Sequence, residues 1–259
     1  MSRKFVFLAS FFVGMMLFMV VVNFPLKSEN LAQVFNMKDD YVIVIDPGHG
    51  GFDGGAVADD GTVEKDINLS IATALYKIIS EYPVEVLMTR ESDIALDDGE
   101  GTIRERKRQD LIKRKELIEE ANADLTISIH LNSYPDDASV CGAQVFYPMN
   151  EQKRTGEQEC EQTSKTIAKS VQESLEINVP DGKEREAHPK NDILILKDTK
   201  TPIILVECGF LSNKEECELL KTLEYQGLIA MSIWEGINND LGLSKKQKIQ
   251  VIHSANKMR

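Results

Sequence analysis

Two histidines and one carboxylate in this chain come directly after short apolar runs that have the length of strands. They are His49, His130 and Glu207. In open α/β sheets, ligands bind outside the carboxyl ends of the strands. If the three strands are parallel neighbours, these side chains meet at one edge of the sheet. The pattern therefore predicts a polar site built from separate segments of the chain.

A second carboxylate, Glu64, stands at the beginning of the next helical pattern. It precedes Ile67 by three residues and Ile71 by seven, so it lies over the apolar stripe of the helix and points toward the core. A carboxylate on a buried face needs a partner. A divalent cation would be one, and two nearby histidines would complete its shell.

Two histidines and one glutamate form a three-ligand zinc set whose fourth position is left for water, the pattern of catalytic zinc. Each residue alone has a plainer interpretation, because a histidine after a strand is usually a hydrogen-bonded structural residue and a glutamate in a first helical turn usually serves the helix dipole. The combination favours a metal, since the chain has only 4 histidines and two of them stand at these strand ends. We expect one Zn²⁺ per chain, and ligand type alone leaves other divalent ions open.

The elements that position these residues alternate along the chain. Short apolar or β-branched runs predict strands, and apolar residues at i, i+3, i+4 and i+7 predict helices. The strands are expected at 41–45, 84–88, 125–129, 143–147, 193–196 and 203–206, and the helices around 67–78, 111–121, 167–175 and 225–233. This alternation predicts a three-layer α/β domain over residues 41–240, with a mixed, mostly parallel central sheet flanked by helices.

The glycine-rich loop 48–53 follows the first strand and invites comparison with a dinucleotide-binding fingerprint. The comparison fails, because the third glycine position is Asp53 and because His49 and Phe52 crowd the turn where a pyrophosphate would lie. A loop that bends a histidine back over the sheet edge explains the glycines better.

The N-terminal run 5–24 is apolar and carries no charge. At ~1.5 Å per residue it is long enough for a helix of ~30 Å, the thickness of a bilayer core. Arg3 and Lys4 precede it, which places the N-terminus in the cytoplasm and the remainder outside. The alternative is a cleaved signal peptide, but the run is longer than a usual h-region and no A-x-A-like site follows it. We predict a membrane anchor helix over 1–26, a tether over 27–40, and a domain at the extracytoplasmic face.

Composition excludes one class of partner. The formal net charge is -12 and the pI is near 4.9, so the chain lacks the overall basic charge with which proteins bind nucleic acid electrostatically.

The 4 cysteines contain no C-x-x-C spacing, and we expect thiols, although an even count in an oxidising compartment leaves disulfides open. Residues 241–259 are basic toward their end and are expected to form a flexible tail.

Six blocks of sequence, in order, resemble the zinc-dependent N-acetylmuramoyl-L-alanine amidases, and the resemblance runs from about residue 41 to 240. The blocks are DPGHGG at 46–51, EKDINL at 64–69, MTR at 88–90, ADLTISIHLNS at 123–133, GAQVFY at 142–147 and PIILVECGFLSN at 202–213. The stretch 101–115 and the sequence HLNS at 130–133 look most like the sporulation and germination-specific branch, which helps to make muramic-lactam in the spore cortex.

The resemblance implies that His49, Glu64 and His130 bind zinc and that Glu207 is the catalytic carboxylate. The implied reaction is hydrolysis of the amide between N-acetylmuramic acid and L-alanine in peptidoglycan, at the outer side of a bacterial membrane and, for this branch, in the forespore envelope. Zinc would activate water and polarise the scissile carbonyl, while Glu207 takes the proton. The residues leave open whether an activating partner protein is needed.

Other residues have two interpretations each. Asp46 is expected either to orient His49 or to form the turn before Pro47. Asn132 is expected to bind substrate or to cap a turn. Arg185 and His188 either face the substrate or belong to a solvated loop over 182–191. The basic cluster 104–108 either meets the carboxylates of stem peptides or forms an exposed charged face.

Two other functions stay open at this stage. One is a non-catalytic or partner-activated wall-binding regulator on the same fold, against which the complete set of four site residues argues. The other is an envelope zinc exopeptidase or deacetylase. That class often carries a second metal, and this chain lacks the additional histidines for one.

Overall fold

The central element is a six-stranded sheet with the strand order β2-β1-β3-β6-β4-β5. The computed structural model describes residues 41–97, 99–149, 157–179 and 184–246. Its strands are β1 (Tyr41–Pro47), β2 (Val84–Met88), β3 (Leu125–Asn132), β4 (Gln144–Pro148), β5 (His188–Lys190) and β6 (Ile203–Phe210). Its helices are α1 (Glu64–Ile79), α2 (Ile103–Glu120), α3 (Glu157–Asn178), α4 (Lys214–Leu220) and α5 (Leu223–Leu241).

The sheet is mixed and mostly parallel. Strands β2, β1, β3 and β6 run parallel to one another. Strand β4 is antiparallel to β6, and β5 is parallel to β4. The three strands that carry the predicted site residues, β1, β3 and β6, are direct parallel neighbours, so the predicted three-layer fold and the convergence of their carboxyl ends are both confirmed.

Helices cover both faces of the sheet. Because successive strand residues point to opposite faces, the two sets of strand side chains pack against different helices. One core joins alternate residues such as Ile43 and Ile127 to the apolar stripes of α1, α3 and α5. A smaller core on the other face joins Val44 and Leu205 to Ile118 of α2 and to the turn 194–196.

Helix α2 faces the sheet with charged side chains. Its buried residues are Asp110, Arg114 and Ile118, at intervals of four that place them on one face. Leu117, which the apolar pattern assigns to the core, is 42% exposed. The helix begins with a capping box between Thr102 and Glu105, which satisfies backbone N–H groups in its first turn. Ionic contacts therefore replace much of the hydrophobic contact that normally holds a helix on a sheet.

Arg114 pairs with two carboxylates on this face. Its guanidinium is 2.7 Å from Asp46 Oδ1 and 2.7 Å from Asp110 Oδ2. Asp110 also accepts a hydrogen bond from the backbone N–H of Leu96, at 2.6 Å. The pairs are buried, since Arg114 and Asp46 are each 1% exposed.

Two predicted elements differ from the structure. The run 193–196 was expected to be a strand, but residues Leu194–Leu196 form a 3₁₀ turn that packs into the smaller core. A short buried apolar run has the same composition in a strand and in a helical turn, so periodicity does not separate them. One edge of the sheet is formed by β5, which lies inside the expected loop 182–191. Helix α4 was not predicted, although Asn213 caps it through the N–H of Glu216.

The ends of the chain were predicted to be an anchor, a tether and a tail. The segments 1–26 and 27–40 lie outside the described residues. Within the described ranges, none of the helices combines the length and the apolar character that a bilayer crossing requires. The tail was expected from 241, but Leu243 packs against the core and Lys245 pairs with Glu81 at 2.5 Å. Residues 247–259 lie outside the described part.

The four cysteines differ in their exposure. Cys208 and Cys217 are buried, and Cys141 and Cys160 are half-buried.

We predict that Arg114→Met lowers the free energy of unfolding by about 3–5 kcal/mol, because it leaves the carboxylates of Asp46 and Asp110 buried without their cation. Lys113→Met, next to it on the helix, removes an exposed pair with Glu116 and is expected to cost about 0–1 kcal/mol. Urea unfolding of both variants measures the difference. Equal losses would show that the buried pairs do not hold α2 on the sheet.

Candidate metal centre

Strand register brings the predicted site residues together. His130 in β3 lies directly opposite Glu207 in β6. His49 lies in the loop after β1, the neighbour of β3 on the other side, and Glu64 is the first residue of α1. Four segments that are distant in sequence therefore meet at the carboxyl ends of three parallel strands.

Glu64 lies between the two imidazoles. Its Oε1 atom is 3.2 Å from His49 Nε2 and 3.1 Å from His130 Nδ1. The two rings are nearly perpendicular, with centroids 5.0 Å apart. One ligand atom from each of the three residues lies within 4.8 Å of the others. The group could hold one metal ion.

Backbone and side-chain donors fix the Glu64 carboxylate. Oε1 accepts hydrogen bonds from the N–H of Leu131 at 3.0 Å and from Nδ2 of Asn68 at 3.2 Å. Oε2 accepts from the N–H of Ala56 at 2.7 Å. The side chain is buried at the start of α1. These contacts hold the carboxylate toward the histidines.

Glycines allow the close approach of the ligand side chains. A Cβ atom on Gly48 would lie 2.2 Å from the His130 ring, and one on Gly55 would lie 2.4 Å from Glu64 Oε2. Gly55 also has φ +72°, a left-handed conformation that glycine adopts without a steric penalty. His49 itself has φ 62°, which is uncommon for a residue with a side chain. The loop thus turns the histidine back over the sheet edge, as the glycine pattern predicts.

The partner of His49 is Asp53, which sequence analysis did not single out. Asp53 Oδ2 lies 2.9 Å from His49 Nδ1. Asp46, the residue expected to orient this ring, instead accepts hydrogen bonds from Thr89 at 2.6 Å, from Ser128 at 2.8 Å and from Arg114. The prediction that Asp46 orients the ring is wrong in this structure, because Asp46 still belongs to β1 and points under α2. The signal for Asp53 was its place at the third glycine position, four residues after His49.

Two arginines bind the backbone of the loop that carries His49. Arg114 donates to the carbonyl oxygens of Pro47 and His49, at 2.7 and 2.5 Å. Arg90, from the MTR block, donates to the carbonyls of Pro47 and Gly48, each at 2.9 Å. Three successive carbonyl groups therefore have cationic donors, which fixes the turn from which His49 projects.

The charges of the site are strongly coupled. Burial opposes a positive charge on His49, but the hydrogen bonds to Asp53 and Glu64 outweigh it and raise the pKa of His49 to about 9. Burial also opposes a negative charge on Glu64, yet the two histidines hold the pKa of this carboxyl well below its usual range. Glu64 is therefore ionised, as a metal ligand must be.

Glu207 differs from Glu64 in its surroundings. Burial raises the pKa of Glu207, and nearby His130 only partly offsets that rise. Its Oε2 atom is buried and has no hydrogen-bond partner within the described part of the chain. A buried, unpartnered carboxylate oxygen beside a candidate metal ligand is a strong candidate for proton transfer.

The other candidate residues take different places. Asn132 lies at the end of β3, where its Oδ1 accepts from the N–H of the next residue, Ser133, at 2.8 Å. Arg185 donates to the carbonyl of Cys141 at 2.6 Å and to Gln144 at 3.3 Å, so it is tied to the scaffold rather than solvated. His188 is exposed in β5, which β4 separates from β6, and it lies outside the cluster of candidate ligands.

The basic cluster 104–108 is divided between two environments. Arg104 and Arg108 are exposed. The guanidinium carbon of Arg106 lies 3.8 Å from the centroid of the Phe52 ring, and Lys107 Nζ lies 2.7 Å from Asp53 Oδ1. Part of the cluster therefore contacts the loop of the candidate metal centre.

Comparison with known proteins decides the family. Residues 43–239 match the model of the N-acetylmuramoyl-L-alanine amidase family. The chain belongs to this family. A similar relative is the germination-specific N-acetylmuramoyl-L-alanine amidase of Bacillus subtilis, which is 34% identical over 88% of this chain and 92% of its own length.

Solved structures agree with this assignment. The CwlD amidase from Clostridioides difficile, solved in complex with the GerS lipoprotein, is 41% identical, with a TM-score of 0.71 over 78% of this chain and 99% of that one. An N-acetylmuramoyl-L-alanine amidase from Clostridium difficile 630 is 29% identical, with a TM-score of 0.66 over 79% of this chain and 98% of that one. The predicted family and enzyme class are confirmed, and the amidase acts on peptidoglycan.

We predict that Gly55→Ala disrupts the site, whereas Gly61→Ala does not. Both glycines have positive φ, so each alanine is expected to lower the free energy of unfolding by about 1–2 kcal/mol. Only the alanine at 55 meets Glu64 and His49, since a Cβ atom at 61 has nothing within 4 Å. Gly55→Ala should therefore lose metal affinity and amidase activity beyond the loss in Gly61→Ala. Equal metal affinity in the two variants, measured by chelator competition, would contradict this account.

Proposed function

We propose that the amidase is zinc-dependent and that His49, His130 and Glu64 hold one Zn²⁺. The observation that carries the proposal is the juxtaposition of one oxygen and two nitrogen ligand atoms within 4.8 Å. Imidazole and carboxylate ligands suit zinc, and a three-ligand set leaves a position for water. When bound, zinc lowers the pKa of its water toward ~7 and polarises the scissile carbonyl.

The proposed reaction is hydrolysis of the amide that joins the lactyl group of N-acetylmuramic acid to L-alanine, in the spore cortex. The family supports the bond that is cleaved. The germination-specific relative in Bacillus subtilis supports a role in spores, and formation of muramic-lactam would follow from removal of the stem peptide there.

Glu207 is the proposed general base. It lies opposite His130 in the sheet, so its carboxylate adjoins the proposed metal ligands. Its unpartnered oxygen is available to accept a proton from water. The raised pKa makes the carboxylate a better proton acceptor than an exposed glutamate. Glu207 would then pass the proton to the amine of L-alanine as the amide breaks.

We expect Glu207→Gln to retain zinc and to lose amidase turnover by ~10²–10⁴, the usual contribution of a general base. His49→Ala should lose both zinc and turnover. Glu224→Gln, an exposed change of the same kind on α5, serves as the matched control. The assay measures bound zinc and the stem peptides released from peptidoglycan. Near-normal release by Glu207→Gln would remove Glu207 from the mechanism, and released amino acids or acetate would favour an exopeptidase or a deacetylase.

We further propose that the run 5–24 anchors the amidase at the extracytoplasmic face of a bacterial membrane, with 27–40 as a tether. The uncharged length of the run and the basic residues before it support this location. The full chain should stay with membranes after a carbonate wash and be digested by protease added outside. Recovery of a shortened chain in the soluble extracellular fraction would favour a cleaved signal peptide instead.

An activating partner protein stays a prediction. The complex of the Clostridioides difficile CwlD amidase with the GerS lipoprotein supports the idea that an amidase of this kind binds a protein partner. Purified alone, the chain would then bind zinc and release few stem peptides.

A further inference from the structure

The inward face of α2 reaches the candidate metal centre at its N-terminal end. Lys107, Asp110, Arg114 and Ile118 lie on this face at intervals of three and four residues. Three of them are buried, but Lys107 is 43% exposed in its side chain. Its ammonium group is nevertheless directed to one partner, the Asp53 carboxylate, at 2.7 Å.

An ammonium group, a carboxylate and an imidazole form a continuous row. Lys107 Nζ contacts Oδ1 of Asp53, and Oδ2 of the same carboxylate contacts Nδ1 of His49. The other ring nitrogen, Nε2, points to Glu64 at 3.2 Å. Asp53 thus contacts Nδ1, the ring nitrogen that does not face the other candidate ligands.

Further contacts join α2 to the loop that carries His49. The Arg106 guanidinium stacks on the Phe52 ring, and Arg114 donates to the His49 carbonyl. Asp53 Oδ1 also accepts from the N–H of Gly55, at 3.1 Å. Oδ1 therefore has two donors, the Gly55 N–H and the Lys107 ammonium, while Oδ2 faces the histidine. Lys107 supplies the contact from the helix that keeps Oδ2 turned toward the histidine.

We propose that Lys107 is a positioning residue for His49 and acts through Asp53. It orients the carboxylate so that His49 keeps its proton on Nδ1 and presents Nε2 to the metal. Metal-binding histidines commonly depend on such an outer partner, and loss of the partner typically costs 10–100-fold in metal affinity. The inference rests on the proposed zinc centre, but the orientation of the His49 ring by Lys107 and Asp53 can be measured in the metal-free protein as well.

The test compares Lys107→Met with Lys107→Arg and Lys113→Met in the full chain. Lys113 is a matched control, because it is an exposed lysine of the same helix that pairs with Glu116. Three quantities are measured: the zinc dissociation constant by chelator competition, the ¹⁵N shifts of the His49 ring in the metal-free protein at a pH above the His49 pKa, where the ring is neutral, and the free energy of urea unfolding.

Lys107→Met is expected to raise the zinc dissociation constant about 10-fold and to move the His49 ¹⁵N shifts toward a mixture of tautomers. Lys107→Arg, which keeps a cationic donor, should restore both. Asp53→Asn should shift them in the same direction and further. The free energy of unfolding should change no more in Lys107→Met than in Lys113→Met.

Two results would overturn the role of Lys107. One is a zinc dissociation constant and His49 ring shifts in Lys107→Met that equal those of Lys113→Met. The other is a loss of zinc affinity that tracks a much larger loss of unfolding free energy, which would show a general structural role. Failure of the unsubstituted chain to bind zinc would instead overturn the proposed metal centre, and the ring shifts of the metal-free protein would still decide the role of Lys107.

Discussion

The guanidinium of Arg114 is almost completely buried, so its N–H groups need acceptors from the protein. Those acceptors are Asp46 in β1, Asp110 in α2 and the carbonyls of Pro47 and His49. One buried cation therefore joins the first strand, the polar helix and the loop of the candidate metal centre. The position of α2 on the sheet and the direction of the His49 turn cannot be changed independently, because both depend on the same group.

The backbone around His49 and Glu64 is constrained as well. Glu64 reaches both histidines only because Gly48 and Gly55 leave no side chain in the space that the His130 ring and the Glu64 carboxylate occupy. His49 has a left-handed backbone, a conformation that surrounding contacts must stabilise. Arg90 and Arg114 provide those contacts at three successive carbonyl groups. Backbone freedom at the glycines and rigid cationic contacts at the carbonyls together place the ligand atoms.

Sequence could predict the residues whose position follows from strand direction. His130 and Glu207 follow apolar runs, and parallel register was enough to bring them opposite each other. It could not predict the contacts of Asp46 and Asp53, because which of two aspartates reaches His49 depends on the path of the loop and not on distance along the chain. The charged face of α2 was missed for another reason: apolar periodicity assigns Leu117 to the core, whereas the helix is held by Arg114. Ionic packing leaves no hydrophobic pattern to detect.

The two glutamates of the site show how similar side chains acquire different roles. Glu64 accepts hydrogen bonds at both oxygens and faces two imidazoles, which favours its charged form and lowers its pKa. Glu207 is half-buried on the neighbouring strand, one of its oxygens has no hydrogen-bond partner among the described residues, and burial raises its pKa. Environments that separate the pKa values of neighbouring carboxyl groups mark a division of labour between them. That contrast supports Glu64 as the permanently ionised ligand and Glu207 as the group that exchanges a proton, since only Glu207 gains little from remaining charged.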